Sequence, residues 1–205
     1  MRAGVIIAGG RSTRFGSEDK ALATIAGRPM IRHVADRLGS VIDVLVVNGR
    51  REQRDPIHDA LDGLEVPMRY APDEIPDRGP LAGIERGLAA VPDEVQYAAV
   101  VACDMPYLDP AVLRYLFDRA TGTDAAVPRF IDGWYHPTHA VYRVHAMREA
   151  CRDALAGDDH RIMTALDELS IEVITEDEIR RVGRVESIEN VNTPHDYREA
   201  ERRLR

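Results

Sequence analysis

The sequence predicts an α/β fold with three layers, helix on sheet on helix, around a mostly parallel sheet. Three observations carry that prediction. Short, continuous apolar runs recur along the first half of the chain, each closed by glycine, asparagine or aspartate. Amphipathic helical stretches fall between them, so strand and helix alternate. The 205 residues, 44% of them hydrophobic, suffice for one sizeable core.

The first strand is expected over 4–8, where Gly-Val-Ile-Ile-Ala runs into Gly9 and Gly10. Further strands are expected over 44–47, 68–70 and 98–102. Helices are expected over 30–38, 53–61, 81–90 and 111–120; Pro80 stands at a first-turn position of the third, and Asp109-Pro110 opens the fourth. The second half is less regular. Strands are expected over 125–127, 138–142 and 171–174 and helices over 145–156 and 162–169, an order that suggests an insertion into the sheet. A final amphipathic helix over 194–204 carries many arginines, read as a solvated face. With no linker, repeat or low-complexity tract, the chain reads as a single domain over 1–205, with halves of about 1–110 and 111–205.

Composition narrows the function. Asp and Glu total 35 against 27 Lys and Arg, a net charge of −8, so a broad basic surface for nucleic acid is not expected. Of those 27 basic residues, 26 are arginine and only Lys20 is lysine. The two cysteines, Cys103 and Cys151, are too few for a disulfide framework or a zinc site, and the apolar stretch at the N-terminus is too short for a membrane span. A cytoplasmic protein that binds neither nucleic acid nor membrane is the expectation.

In a parallel α/β sheet, ligands bind beyond the carboxyl ends of the strands. That rule gives weight to Gly9, Gly10, Asn48, Asp73 and Asp104. The loop from Ile7 to Lys20 holds Gly9, Gly10 and Gly16 together with Arg11, Arg14 and Lys20. Glycines let backbone N–H groups approach a phosphate, and the cationic side chains neutralise it. The spacing fits neither the dinucleotide fingerprint nor the Walker A loop. Asp104 stands where a carboxylate projects from the sheet edge, a good position for Mg²⁺, although a turn-capping role is also open. Asn48 can offer an amide donor and an acceptor to a purine edge or simply serve an Asn-Gly turn.

Several segments together carry a family resemblance. They are Ala8-Gly9-Gly10 with Arg14, Gly16 and Lys20; Ala26-Gly27-Arg28-Pro29-Met30; Gly79-Pro80-Leu81-Ala82-Gly83; Cys103-Asp104-Met105-Pro106; His136-Pro137-Thr138 with Ala140; and Asn190-Val191-Asn192-Thr193-Pro194. The chain resembles the sugar-nucleotide-type nucleotidyltransferases, and within them the molybdenum cofactor guanylyltransferases, nearly end to end. The resemblance implies a Rossmann-like nucleotidyltransferase fold of the nucleotide-diphospho-sugar transferase type. It implies Mg²⁺-dependent transfer of GMP from GTP to the phosphate of molybdopterin, releasing pyrophosphate. Under it, Ile7, Ala8, Gly9, Gly10, Asn48, Asp73 and Gly79 bind the nucleotide, with Glu74 or Asp77 as alternatives to Asp73. Lys20 contacts the triphosphate, Arg14 lies near the leaving pyrophosphate, and Asp104 holds the metal. His136, Thr138, Asn190 and Asn192 fall on the acceptor side. His160-Arg161 meets the pterin phosphate or forms a solvated loop. His139 stands where the family pattern has an apolar residue. Partners are then GTP, molybdopterin, and other cofactor-biosynthesis proteins or apo-molybdoenzymes. The rivals are the related cytidylyltransferase, a cobinamide-phosphate or phospholactate guanylyltransferase, and a non-catalytic nucleotide-binding module. A Rossmann oxidoreductase is disfavoured by the glycine spacing.

Overall fold

A computed structural model describes residues 1–10, 19–75, 78–157 and 159–205. The chain runs through β1 (Arg2–Ile7), β2 (Thr24–Ile25), β3 (Arg28–Pro29), α1 (Met30–Gly39), β4 (Val44–Gly49), α2 (Arg54–Ala60), β5 (Met68–Pro72), α3 (Pro80–Ala89) and β6 (Tyr97–Ala102). It continues through α4 (Pro110–Ala120), β7 (Ala125–Arg129), β8 (His139–Arg143), α5 (Val144–Ala156), α6 (Ile162–Leu166), β9 (Ile171–Thr175), α7 (Glu176–Val182) and α8 (Pro194–Arg203).

The main sheet has the order β5-β4-β1-β6-β8-β7-β9. Pairings β4–β5, β1–β4, β1–β6 and β7–β9 are parallel, while β8 runs antiparallel to both β6 and β7. Thus β8 is the inserted strand. The chain leaves β1 for β4 and β5 on one side and returns to place β6 on the other. The carboxyl ends of β1 and β6 therefore flank a topological switch point, where such a sheet opens a crevice.

Central strands are apolar on both faces because helices cover both. On one face, α1, α2, α4 and α7 bury Ile31, Val34, Leu38, Ile57, Leu113, Leu116 and Ile179 against Ile6, Leu45, Val47 and Val101. On the other, α3, α5 and α6 bury Leu81, Ile84, Leu88, Met147 and Leu166 against Val5, Val46, Val100 and Tyr142.

Two elements differ from the sequence reading. The segment Thr24 to Pro29 forms a small hairpin, turned by Ala26 and Gly27 at φ of 49° and 78°, a left-handed pair that suits a tight primed turn. The helix α7 was not expected, although Thr175 and Glu178 spell its capping box: each side chain accepts the other's backbone N–H. The closing helix α8 lies where it was expected. Its Arg202 and Arg203 pair at the surface with Glu189 and Glu199, and Arg205 beyond its end pairs with Glu201, contacts that are individually weak.

Candidate functional site

A cavity of about 550 Å³ opens at the carboxyl ends of β1, β4, β5 and β6. Its walls include Ile7, Ala8, Gly9, Gly10, Lys20, Asn48, Asp73, Gly79, Gly83, Asp104, Thr138 and Asn192.

The turn after β1 is fixed from behind. Ala8 N donates to Asn48 O at 2.8 Å. Gln53 Nε2 donates to Ala8 O at 3.0 Å, and Arg50 Nη1 donates to Gly9 O at 3.1 Å and Gly10 O at 3.3 Å. The same two side chains hold Asp19 Oδ2, at 2.8 Å from Arg50 Nη2 and 2.5 Å from Gln53 Nε2. Arg50 thus spends its charge on Asp19, and the clamp sets where the following residue, Lys20, begins. Nothing in the sequence singled out Asp19, Arg50 or Gln53; the nearest signals were that Arg50 and Gln53 follow the end of β4 and that Asp19 precedes Lys20.

Lys20 is 8% exposed. Its Nζ donates to Asp104 Oδ2 at 2.5 Å and to Asn192 Oδ1 at 2.7 Å. Asn190 Nδ2 donates to the other carboxylate oxygen, Asp104 Oδ1, at 2.6 Å, and Val191 N donates to Asp104 O at 2.9 Å. The closing Asn-Val-Asn segment therefore grips Asp104, which follows β6, and Lys20, which follows the first loop. The donor set is oxygen only, and a cationic group already sits on it, so it fits a hard divalent cation. Among the described residues, no group of three or more His, Cys, Asp or Glu side chains could hold a metal unaided. A hard divalent ion of the Mg²⁺ type needs only one or two carboxylates and completes its shell with water and phosphate oxygens.

At the opposite end, Asn48 is 1% exposed. Its Nδ2 donates to Ala71 O at 3.0 Å and Asp73 Oδ1 at 2.8 Å, while Oδ1 is buried with no partner. The expectation that Asn48 offers both donor and acceptor to a base is corrected: both amide hydrogens are spent, and the acceptor alone remains. A Cβ on Gly83 would lie 2.5 Å from Asn48 Oδ1, and one on Gly9 would lie 2.6 Å from Asp73 Oδ2. At either glycine a side chain would collide with an acceptor oxygen. Of the alternatives to Asp73, Glu74 points away to Arg86 at 2.8 Å. Asp77, like Arg14, lies outside the described residues. Gly79, at φ 86°, precedes Pro80 at the start of α3, a backbone conformation that a side chain would strain.

The acceptor-side expectations divide. Thr138 and Asn192 line the cavity. Asn190 stands behind Asp104. His136 is not on the cavity wall: its ring packs on Phe130, centroids 4.6 Å apart, with Nε2 buried and unpartnered. Arg161 is neutralised by Asp159 through bonds of 2.6 to 3.0 Å, and His160 contacts Gly157 O, so that loop takes the solvated form. His139 is fully buried, and burial depresses its pKa to about 3. The ring is therefore neutral, and its Nε2 lies 3.3 Å from Ser187 Oγ, the same hydroxyl that accepts from Asp109 N at 2.7 Å. Cys103 and Cys151 are buried and unpaired, with burial raising both thiol pKa values, that of Cys151 to about 12.

The chain is similar to known proteins in sequence and in fold. A family profile described as the MobA-like NTP transferase domain matches residues 4–173. A protein of Natronomonas pharaonis named "Probable molybdenum cofactor guanylyltransferase" is 53% identical over 203 residues, covering 99% of this chain and 98% of that one. Among solved structures, molybdopterin-guanine dinucleotide biosynthesis protein A from Archaeoglobus fulgidus superposes with a TM-score of 0.80 at 24% identity, covering 100% of this chain and 98% of that one. The 4-diphosphocytidyl-2C-methyl-D-erythritol synthase of Anaerococcus prevotii superposes at 0.76 with 14% identity, covering 99% and 95%. At those identities the structural likeness speaks to the fold alone.

Proposed function

Because this chain belongs to the MobA-like NTP transferase family, we infer that it transfers GMP from GTP to the phosphate of molybdopterin, forming the guanine dinucleotide cofactor and releasing pyrophosphate. The observation that carries this reading is the polarity of the cavity: Lys20 on the Asp104 carboxylate at one end, Asp73 and the unpartnered oxygen of Asn48 at the other.

Guanine presents adjacent N–H donors at N1 and N2. Asn48 Oδ1 and the Asp73 carboxylate are acceptors suited to that edge, and an unpaired buried oxygen such as Asn48 Oδ1 favours a base that satisfies it. Gly9 and Gly10 let the backbone approach the nucleotide between the two ends. At the other end, Lys20 meets the triphosphate, and the family resemblance assigns Arg14 to the leaving pyrophosphate. Asp104, supported by Asn190, would hold Mg²⁺, which supplies neutralisation of charge on the phosphate oxygens.

The reaction joins two polyanions: an oxygen of the acceptor phosphate attacks the α-phosphorus and the bond to the β-phosphate oxygen breaks. The acceptor phosphate is already ionised near neutral pH, so no general base is needed. The protein's work is in-line positioning and charge neutralisation. Residues up to about 110 hold the nucleotide, and later ones, Thr138 and Asn192 among them, bring the acceptor to it. A reducing cytoplasm suits the two buried thiols, and apo-molybdoenzymes are natural recipients of the product.

The test supplies each of the four nucleoside triphosphates with Mg²⁺ and molybdopterin and measures pyrophosphate. Release with GTP alone is expected. Release with CTP and not GTP would overturn the guanylyl reading, and no release with any would leave a binding module.

A further inference from the structure

Two positively charged groups claim the same oxygens in this site. Asp104 Oδ2 and Asn192 Oδ1, the donors that suit a divalent cation, are the pair that accept from the Lys20 ammonium, at 2.5 and 2.7 Å. The ion pair is secluded: the side chains of Lys20 and Asp104 are 10% and 15% exposed. A divalent ion sits about 2.1 Å from a carboxylate oxygen. An ion that close to Asp104 Oδ2 would stand against an ammonium that itself lies 2.5 Å from that oxygen, with little water to screen the repulsion.

We propose that the Lys20 ammonium is a place-holder for the divalent cation: it neutralises Asp104 and bars bare metal from the site, and it moves off only for a triphosphate. This rests on the reading of Asp104 as the metal ligand. A triphosphate changes the balance because its oxygens give the ammonium a new partner and give the metal further ligands, so both cations can stay. The enzyme is therefore loaded by the metal–nucleotide complex, and a free divalent ion competes poorly for the oxygen cage. Asn192 acts here as a positioning residue for Lys20, and Asn190 as one for Asp104.

The composition supplies a probe. Lys20 is the only lysine in the chain, so protein labelled with ε-¹⁵N-lysine shows one side-chain ammonium resonance. Millimolar Mg²⁺ alone should leave that resonance in place, and Mg²⁺ with GTP, no acceptor present, should shift it; a shift with Mg²⁺ alone equal to that with the nucleotide would overturn the proposal. Mn²⁺ binding without nucleotide, read by electron paramagnetic resonance, gives the second arm. Lys20→Met should bind Mn²⁺ alone roughly tenfold or more tightly than the wild type. Unchanged or weaker binding by a folded Lys20→Met protein would overturn the place-holder. Asp104→Asn in the Lys20→Met background should abolish that binding; if it does not, the metal-ligand reading of Asp104 fails instead.

Discussion

The Lys20 side chain meets constraints that arginine cannot satisfy. Its ammonium is a point charge at 2.5 and 2.7 Å from two oxygens in a pocket where the residue is 8% exposed. A guanidinium is planar, wider and tied to a fork geometry. Lys20→Arg, although arginine fills every other basic position of this sequence, should lower kcat by roughly 10- to 100-fold, since misplacement of about an ångström costs that much. Steady-state kinetics beside a thermal melt will check it, and wild-type turnover would reduce the lone lysine to coincidence. Gly9→Ala tests the other end of the cavity. The added methyl would sit 2.6 Å from Asp73 Oδ2 and must push the carboxylate, whose other oxygen accepts from Asn48, out of place, so KM for GTP should rise about tenfold or more while the fold persists. Unchanged GTP affinity would show that Asp73 takes no part in holding the nucleotide.

At the scale of elements, the site depends on a segment with little regular structure of its own. Residues between α7 and α8 are laced to the loop after β6 by Ser187 on Asp109, the Arg184 N–H on Asp109 Oδ2, and Val191 on Asp104. Ser187→Ala removes the hydroxyl that Asp109 N donates to and that contacts His139. It should cost about 1–3 kcal/mol in chemical unfolding, and it should lower kcat because Asn190 and Asn192 lose their anchor. A stability loss with normal kcat would separate the two roles. Acid should act on the same region. Burial lowers the pKa of His139 to about 3 and also lowers those of His33 and His136 from 6.5. The unfolded chain then binds more protons than the folded one below pH 6.5, so stability is full above that value and falls as pH drops from 6.5 toward 3. Each such group contributes a slope of about 1.4 kcal/mol per pH unit within its own window. Urea unfolding across pH 7 to 4 should show the decline, and His139→Leu should flatten it; a pH-independent midpoint would contradict the buried, neutral assignment.

Across the whole molecule, the parallel frame was legible because the apolar runs before Gly9, Asn48 and Asp104 read as strands covered on both faces, with the partly exposed edge strand before Asp73 beside them, and parallel strands bring those ends to one edge. Position at the edge was legible; bonding there was not. That the Asn48 amide hydrogens are spent follows from where Ala71 O lies, a fact of the β4–β5 register. That Asn190 and Asn192 serve Asp104 and Lys20 follows from contacts across 86 and 172 residues, which no local pattern encodes. The helix α7, by contrast, was spelled out by its capping box and overlooked because its apolar stripe is short. The frame also orders stability. Amides of β1, β4 and β6, central and paired on both sides, should be the last to exchange in deuterium exchange, well after those of β9 and α8; a central strand that exchanges together with the edges would contradict this order and show that the sheet opens as one unit.

The bond between Lys20 and Asn192 also bears on how the molecule is made. A growing chain emerges with the first loop, then the strands that carry Asn48, Asp73 and Asp104, and the asparagines come much later. Until they arrive, the ribosome presents a nascent chain with a nucleotide cradle whose lysine and aspartate have no asparagine bracket. Completion of the site thus waits on residues made 86 positions after Asp104 and 172 after Lys20.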